Sequence, residues 1–265
     1  MPLSDTSPEI EAIQSRILDA MTGEQRIVRA LELCHLIREV AKAGLRHRHP
    51  DWSEQRVSSE FLLSLFGPGA ATAETMSNSN EAFRRIADLL KEIDIPHMLV
   101  GSFACACYGW IRSAMDVDLV ILCSSEQIPP LVRRLRTMNY YADETSALQS
   151  LQKKSAFQVF DMQTEWKIDL IALKPTLFGQ GAFRRRQAFE FQGLELFVTS
   201  PEDLVVGQLE WAKTGGSFVQ IRDAATLLKK RWSSLDHSYL KKWLDELGLA
   251  EQWRTALQEA DIQPI

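Results

Sequence analysis

Residues 98–122 have the sequence MLVGSFACACYGWIRSAMDVDLVIL, and the prediction of the fold begins with them. A short apolar run ends at Gly101 and Ser102, small residues follow, and a second apolar run comes after them. This pattern predicts a strand, a turn, a helix and a second strand. Asp116 and Asp118 stand near the start of the second strand. Because successive strand side chains alternate in direction, we expect both carboxylates on one face of the sheet.

Two like charges on one strand face repel each other unless a cation lies between them. The predicted helix begins at Gly101 and Ser102, where free backbone N–H groups and a partial positive charge favour an anion. Carboxylate oxygens are ligands that Mg²⁺ accepts, and phosphate is the anion that commonly accompanies it. The stretch therefore predicts a site for magnesium and phosphate.

A third carboxylate occurs later in the chain, at Asp169 in the apolar run WKIDLIA that starts at Trp166. Lys167 lies two residues earlier and is expected on the same strand face. We expect it either to contact a nucleotide phosphate or to pair with Asp169 when no metal is present. Arg112, just before the second strand, has the same two interpretations, a phosphate contact or a structural pair with an acid.

This arrangement resembles the nucleotidyltransferase superfamily related to DNA polymerase beta. Its signature is an apolar residue, Gly-Gly or Gly-Ser, a gap of about nine to thirteen residues, and Asp-x-Asp or Asp-x-Glu between apolar residues. The resemblance covers roughly residues 82–228 and implies two sets of residues. The catalytic and Mg²⁺-binding set is Asp116, Asp118 and Asp169, and the nucleotide-binding set is Gly101, Ser102, Arg112 and Lys167.

The segment SPEDLVVGQLEWAK, Ser200 to Lys213, resembles the C-terminal signature of a bacterial branch of this superfamily. That branch contains the AbiEii-like proteins and the minimal nucleotidyltransferases of toxin-antitoxin pairs. Two residues depart from the pattern, since relatives commonly have Lys at the position of Gln208 and often Thr at the position of Ala114. Loss of that Lys favours a site without turnover, unless another cation such as Lys213 replaces it.

The predicted fold class is α/β (α+β), with a nucleotidyltransferase-like mixed sheet flanked by helices. Helices are predicted within 8–66 and at 80–93, 126–138, 201–215 and 218–232, with two further short helices in 236–259 and strand hairpins at 157–172 and 189–198. The predicted units are a helical domain of unknown role at 1–67, a linker at 68–80, the α/β core at 81–199 and a helical region at 200–265. The linker is rich in Gly, Ala, Thr, Ser and Asn.

The 265 residues are 45% apolar and 25% charged, with a formal net charge of −5. This charge argues against a broad DNA-binding surface. Because no apolar run reaches 18 residues and the N-terminus does not resemble a signal peptide, neither a membrane span nor secretion is predicted. The four cysteines lack metal-ligand or disulfide spacing, which favours small buried residues in a reducing cytoplasm.

Three functional hypotheses follow. The first is a Mg²⁺-dependent enzyme that binds ATP or another nucleoside triphosphate and transfers its nucleoside monophosphate to a protein or RNA acceptor. A toxin-antitoxin or phage-defence role is implied only by the resemblance. The alternative is a catalytically degenerate module of the same fold that binds a nucleotide or a protein. The third treats the helical N-terminal unit as a cognate antitoxin or regulator fused to its enzyme. Binding of a partner protein through the N-terminal helices is a separate expectation.

Overall fold

The computed structural model describes residues 7–66, 79–114 and 116–263. The helices in these ranges are α1 (Pro8–Ala20), α2 (Gly23–Arg48), α3 (Glu54–Phe66), α4 (Ser79–Glu92), α5 (Gly101–Cys107), α6 (Ile128–Thr137), α7 (Glu144–Lys153), α8 (Leu177–Arg184), α9 (Pro201–Gly215), α10 (Phe218–Arg231), α11 (His237–Glu246) and α12 (Ala250–Ala260). The strands are β1 (His97–Val100), β2 (Asp116–Ile121), β3 (Tyr140–Tyr141), β4 (Ala156–Asp161), β5 (Trp166–Ala172), β6 (Gln187–Phe191) and β7 (Leu194–Val198).

The seven strands form one mixed sheet in the order β3-β4-β5-β2-β1-β7-β6. Strand β2 pairs with β5 in parallel and with β1 in antiparallel orientation, and β1 pairs with β7 in parallel orientation. Strands paired in parallel usually lie in a sheet whose two faces are covered by other elements, which accounts for the many apolar residues of β2 and β5. The predicted mixed α/β sheet flanked by helices is confirmed.

The two faces of the sheet differ in chemistry because side chains alternate along β2 and β5. The back face carries fully buried Val117 and Ile168. Trp166 shares this face, and its ring meets Phe103 of α5 edge-on at 5.6 Å. Phe83 of α4 meets Phe103 in the same way at 4.9 Å, so helices cover the back face. The front face carries the three aspartates, as the alternation predicts.

The predicted helices and hairpins are confirmed to within about two residues at each end. The last hairpin turns at Gln192 and Gly193, whose φ angles of 50° and 76° are those of a tight hairpin turn. Ser200 caps α9 by accepting a hydrogen bond from the N–H of Asp203 at 3.2 Å. The sequence did not predict β3, α7 or α8, which are short.

The N-terminal helices pack against the sheet domain through α2. Ile27, Leu31 and Cys34 belong to the same buried apolar cluster as the strands of the sheet. Arg26 adds a polar tie by donating to the carbonyl of Cys107 at 2.7 Å. The expected helical character of this region is confirmed. Most of the predicted linker, 68–80, lies outside the described residues, and the proposed domain division stays a prediction.

The apolar stripe of α1 differs from that of α2. Ile10, Ile13 and Ile17 share one side of α1 at helical spacing, and each side chain is more than 40% exposed. Within the described ranges, this stripe has no covering partner. Across the described part of the chain, no helix combines the length and apolar character needed to cross a membrane.

Candidate metal and nucleotide site

The register of β2 and β5 brings the three predicted aspartates together. Asp118 lies opposite Asp169, and Asp116 lies opposite Lys167. One carboxylate oxygen from each aspartate lies within 4.8 Å of the other two. The spacing of two residues within each strand puts all four side chains on the front face. The site is therefore a direct consequence of one strand pairing.

Gly101 completes the site from the other side of β2. Its neighbour Val100 pairs with Asp118 across β1 and β2, and Gly101 itself has a φ of +66°. A Cβ atom at this position would lie 2.0 Å from Oδ2 of Asp118. Only glycine allows both the backbone angle and this close approach. The glycine of the motif thus makes room for the aspartate of the motif.

Ser102 follows Gly101 in α5 and is buried. Helix α5 is only seven residues long, and no side chain caps its start at Val100. A helix of two turns has a weaker dipole than a long helix, so it attracts an anion less strongly. The nucleotide-binding role of Gly101 and Ser102 stays a prediction.

Lys167 lies between two of the aspartates. Its Nζ is 2.8 Å from Oδ2 of Asp116 and 3.1 Å from Oδ2 of Asp169. Burial lowers the pKa of Lys167, but the hydrogen bonds and negative charges of the two aspartates outweigh it, so the net shift is upward. Of the two interpretations of this lysine, the structure contains the pairing with Asp169 and extends it to Asp116.

Burial and mutual repulsion change the acidity of the cluster. Burial, followed by the charges of Asp116 and Asp169, raises the pKa of Asp118 to about 8. Burial also raises the pKa of Asp169 above its ordinary value, against the charge of Lys167. Oδ1 of Asp169 is buried and has no hydrogen-bond partner among the described residues. A cation among these carboxylates would offset their mutual repulsion and give the unsatisfied oxygen a partner.

The donor set fits a hard divalent cation. It consists of three carboxylates and contains no sulfur or imidazole ligand within the described residues. Mg²⁺ prefers oxygen ligands and commonly keeps waters and substrate phosphates in its remaining positions. A metal site at Asp116, Asp118 and Asp169 is chemically consistent with these side chains.

Arg112 forms an ion pair with Asp223 of α10, so its guanidinium is already engaged. Its Nε and Nη2 donate to the two carboxylate oxygens of Asp223 at 2.8–3.1 Å. Trp110 donates to the same carboxylate at 2.7 Å, and Asp223 is fully buried. The structural-pair interpretation of Arg112 therefore describes its contacts. Its predicted contact with nucleotide stays a prediction.

The two residues that depart from the resembled pattern are both buried. Nε2 of Gln208 lies 3.6 Å from Sγ of Cys105, which is a weak hydrogen bond to the core. The backbone N–H of Ala114 donates to Sγ of Cys34 on α2 at 3.1 Å. Lys213, the replacement cation considered from the sequence, donates to two carbonyls between α11 and α12.

An apolar cavity of about 120 Å³ adjoins the aspartates on the front face. Its floor includes Val120 and Ile171, which share the face of the aspartates, and its wall includes Gly101. Phe178 of α8 and Trp211 of α9 cover it from the opposite side. Sequence reasoning missed this cavity because its residues have the apolar spacing of an ordinary core. Trp211 is partly exposed on α9, which only the structure shows.

Helix α2 reaches the edge of the site where β5 begins. The guanidinium of Arg38 stacks over the ring of Trp166 at 4.2 Å and donates to the carbonyl of Glu165 at 2.7 Å. Lys42 forms a buried ion pair with Glu165 at 2.6 Å. These contacts attach α2 to Glu165 and Trp166, the two residues that precede Lys167.

Comparison with known proteins gives two matches of different kinds. A family model described as Rv0078B-related antitoxin matches residues 19–78, which include all of α2 and α3. Among solved structures, the chain is similar to an antigenic nucleotidyltransferase-like protein from Paracoccidioides brasiliensis, with 16% identity and a TM-score of 0.43. That similarity covers 70% of this chain and 94% of the other. No curated protein matches.

Neither match establishes the function of this chain. The antitoxin model covers less than half of the chain, and the structural likeness is too low in identity and TM-score to carry an argument about function. Neither match names the AbiEii branch, which stays a prediction. The case for function therefore depends on the aspartate site itself.

Proposed function

We propose that this chain is a Mg²⁺-dependent nucleotidyltransferase that moves a nucleoside monophosphate from a nucleoside triphosphate to a protein or RNA acceptor. One observation carries the proposal. Asp116, Asp118 and Asp169 converge on one sheet face, and Gly101 lacks the Cβ that would collide with Asp118. A cluster of three carboxylates, in which burial raises the pKa of Asp118 and of Asp169, is unfavourable without a cation, which supports a functional role for it.

In this proposal the three aspartates hold the metal. A bound Mg²⁺ would neutralise phosphate charge and lower the pKa of the attacking hydroxyl. The unpartnered Oδ1 of Asp169 accepts the hydroxyl proton as the acceptor oxygen bonds to the α-phosphorus. The bond from that phosphorus to the bridging oxygen breaks, and pyrophosphate leaves with the electron pair.

The cavity beside the aspartates supports binding of the nucleoside portion. Its floor at Val120 and Ile171 is apolar, and Trp211 is exposed enough at its mouth to contact a flat ring. Stacking on an aromatic side chain and burial of an apolar face stabilise a base without hydrogen bonds to its edge. The proposed pocket therefore favours binding of a base over discrimination among bases.

A second element of the proposal concerns the N-terminal helices. The antitoxin-related match over residues 19–78 supports a cytoplasmic toxin-antitoxin or phage-defence role in which these helices restrain the enzyme part of the same chain. The contacts of Arg38 and Lys42 at the start of β5 support a restraint that acts close to the site. A free partner protein binding the N-terminal helices is the alternative form of this idea.

The degenerate-module alternative has one observation in its favour. Gln208, where relatives commonly carry Lys, is buried and directed at Cys105, so it brings no charge to the cavity. A site without that cation would bind the triphosphate more weakly. Nucleotide binding without transfer is the result that would favour this alternative.

The first experiment measures binding and transfer on the same preparations. Mg²⁺ with each nucleoside triphosphate should raise the melting temperature of the wild type, because a ligand at about 100 times its Kd adds roughly 2.7 kcal/mol. With α-labelled triphosphate, the label should move to RNA or protein. Asp116→Asn and Asp169→Asn should lose both effects, whereas Asp88→Asn, at an exposed aspartate of α4, should keep them.

The restraint is tested by charge reversal at the buried pair. Glu165→Lys places a cation against Lys42 and should loosen α2, so that transfer increases. The exchanged pair Lys42→Glu/Glu165→Lys restores the attraction and should return transfer to the wild-type level. Equal transfer by all three proteins would contradict a restraint through this contact.

A further inference from the structure

We propose that Lys167 takes the place of the metal in the metal-free protein and competes with Mg²⁺ for Asp116 and Asp169. The inference rests on the proposed metal site and adds a residue that regulates its occupancy. Metal binding would displace the ammonium group from the aspartates and release it toward the phosphates of the incoming triphosphate.

The distances define the competition. Nζ of Lys167 lies 2.8 Å from Asp116 and 3.1 Å from Asp169, and its side chain is 12% exposed. The bonded atom is Oδ2 in both aspartates. A divalent ion held by the cluster needs oxygens of the same two carboxylates, so the ammonium and the metal cannot both occupy the position between them.

The sheet fixes the backbone of Lys167 but does not fix the position of its ammonium group. Its backbone is paired on both sides, opposite Asp116 on β2 and opposite Phe160 on β4. The strand therefore cannot carry the lysine away from the aspartates. The side chain has four methylene groups, so rotation of the stem can relocate the charge by several ångströms while the sheet stays unchanged.

Charge balance gives the exchange its direction. Once all three carboxylates are ionised, they and the ammonium have a net charge of −2, and a divalent cation brings the cluster to zero. The ammonium next to a divalent cation is repelled, whereas phosphate oxygens bound to that cation attract it. Arg112 does not supply such a cation to the phosphates, since its guanidinium is paired with Asp223. Metal entry and the supply of a cation to the phosphates are thereby coupled through one side chain.

Metal affinity tests the proposal without any need for turnover. Mn²⁺ and Mg²⁺ are titrated calorimetrically into the metal-free full chain as wild type, Lys167→Met, Lys167→Gln and Lys167→Arg. Removing the ammonium should tighten metal binding at least tenfold, which corresponds to about 1.4 kcal/mol. It should also lower the melting temperature in chelator and increase the rise that metal produces. Lys167→Arg keeps a competing cation and should bind metal as weakly as the wild type.

A matched control removes a lysine–aspartate pair elsewhere. Lys241 pairs with Asp245 at 2.9 Å on the exposed side of α11, so Lys241→Met should leave metal affinity unchanged. Equal or weaker metal binding by both Lys167→Met and Lys167→Gln would overturn the competition while leaving the metal site in place. Absence of metal binding in every variant, including the wild type, would overturn the proposed metal site and this inference with it.

Discussion

Asp118→Asn should make the stability of the metal-free protein much less sensitive to pH. Asp118 is only 8% exposed and lies beside two other aspartates. Burial and these neighbouring charges raise its pKa from 3.8 to about 8. The folded protein therefore binds this proton more tightly than the unfolded chain does. An asparagine has nearly the same shape and never carries the charge.

The sign of the effect follows from the direction of the shift. A raised pKa in the folded state gives a stabilisation that is fully present below the unfolded pKa and is lost as the pH rises through the folded pKa. For Asp118 this window extends from about pH 4 to about pH 8. Within it, the free energy of unfolding falls by about 1.4 kcal/mol per pH unit for one such proton. Asp169, whose pKa is also raised, adds a contribution of the same sign.

The assay is urea unfolding in the presence of chelator, at pH values on both sides of 8. Relative to the wild type, Asp118→Asn should gain stability as the pH rises, and the gain should level off above the folded pKa. Asp88→Asn is the control, because its carboxylate is exposed on α4. Parallel stability curves for the wild type and Asp118→Asn would refute the reasoning, since they would mean that Asp118 is ionised in the folded protein throughout.

Three further predictions concern the supports of the site. Gly101→Ala should lower the free energy of unfolding by at least about 1 kcal/mol because of the positive φ. It should also weaken Mg²⁺ binding because the added Cβ meets the carboxylate of Asp118. Thermal unfolding and a metal titration measure the two effects, and unchanged metal affinity would contradict the second. Glu165→Gln should destabilise the chain by about 3 kcal/mol because the buried ammonium of Lys42 loses its ion pair at 2.6 Å and keeps only Glu39 at 4.0 Å. Urea unfolding measures this loss, and a loss no larger than that of a surface substitution would contradict the prediction. Asp223→Asn should cost about 2 kcal/mol through its weakened bonds to Arg112, and should raise the mobility of α10 in hydrogen exchange, whereas unchanged exchange would argue that other contacts hold the helix.

Local sequence was sufficient for much of the site. The alternation of a strand fixes that Asp116 and Asp118 share a face, whatever the rest of the fold is. The position of Gly101 at the end of an apolar run predicts a tight turn for the same local reason. The third acid, Asp169, was recognisable because the resemblance implies a carboxylate on a later strand and this acid lies inside an apolar run. The register that sets Asp169 opposite Asp118 is a long-range property, and only the structure supplies it.

Other features depend on partners that are distant in sequence. Arg112 and Asp223 are 111 residues apart, and nothing near either one marks the pairing. Lys42 and Glu165 are 123 residues apart, and on α2 the lysine looks like an ordinary surface cation. The cavity under Trp211 is a gap between elements that are each apolar in the usual way. In all three cases the informative quantity is the relative position of elements, which spacing along the chain does not encode.

Strand β5 connects these local and long-range features. Its alternation puts Trp166 on the back face, under Arg38 of α2, and puts Lys167 on the front face, between the aspartates. Of two adjacent residues of one strand, one therefore contacts the N-terminal helices and the other contacts the candidate metal site. Because the two residues share a peptide bond, the contact of α2 with Trp166 acts one residue away from Lys167. This geometry gives the N-terminal helices a physical route to the aspartates without any direct contact with a substrate.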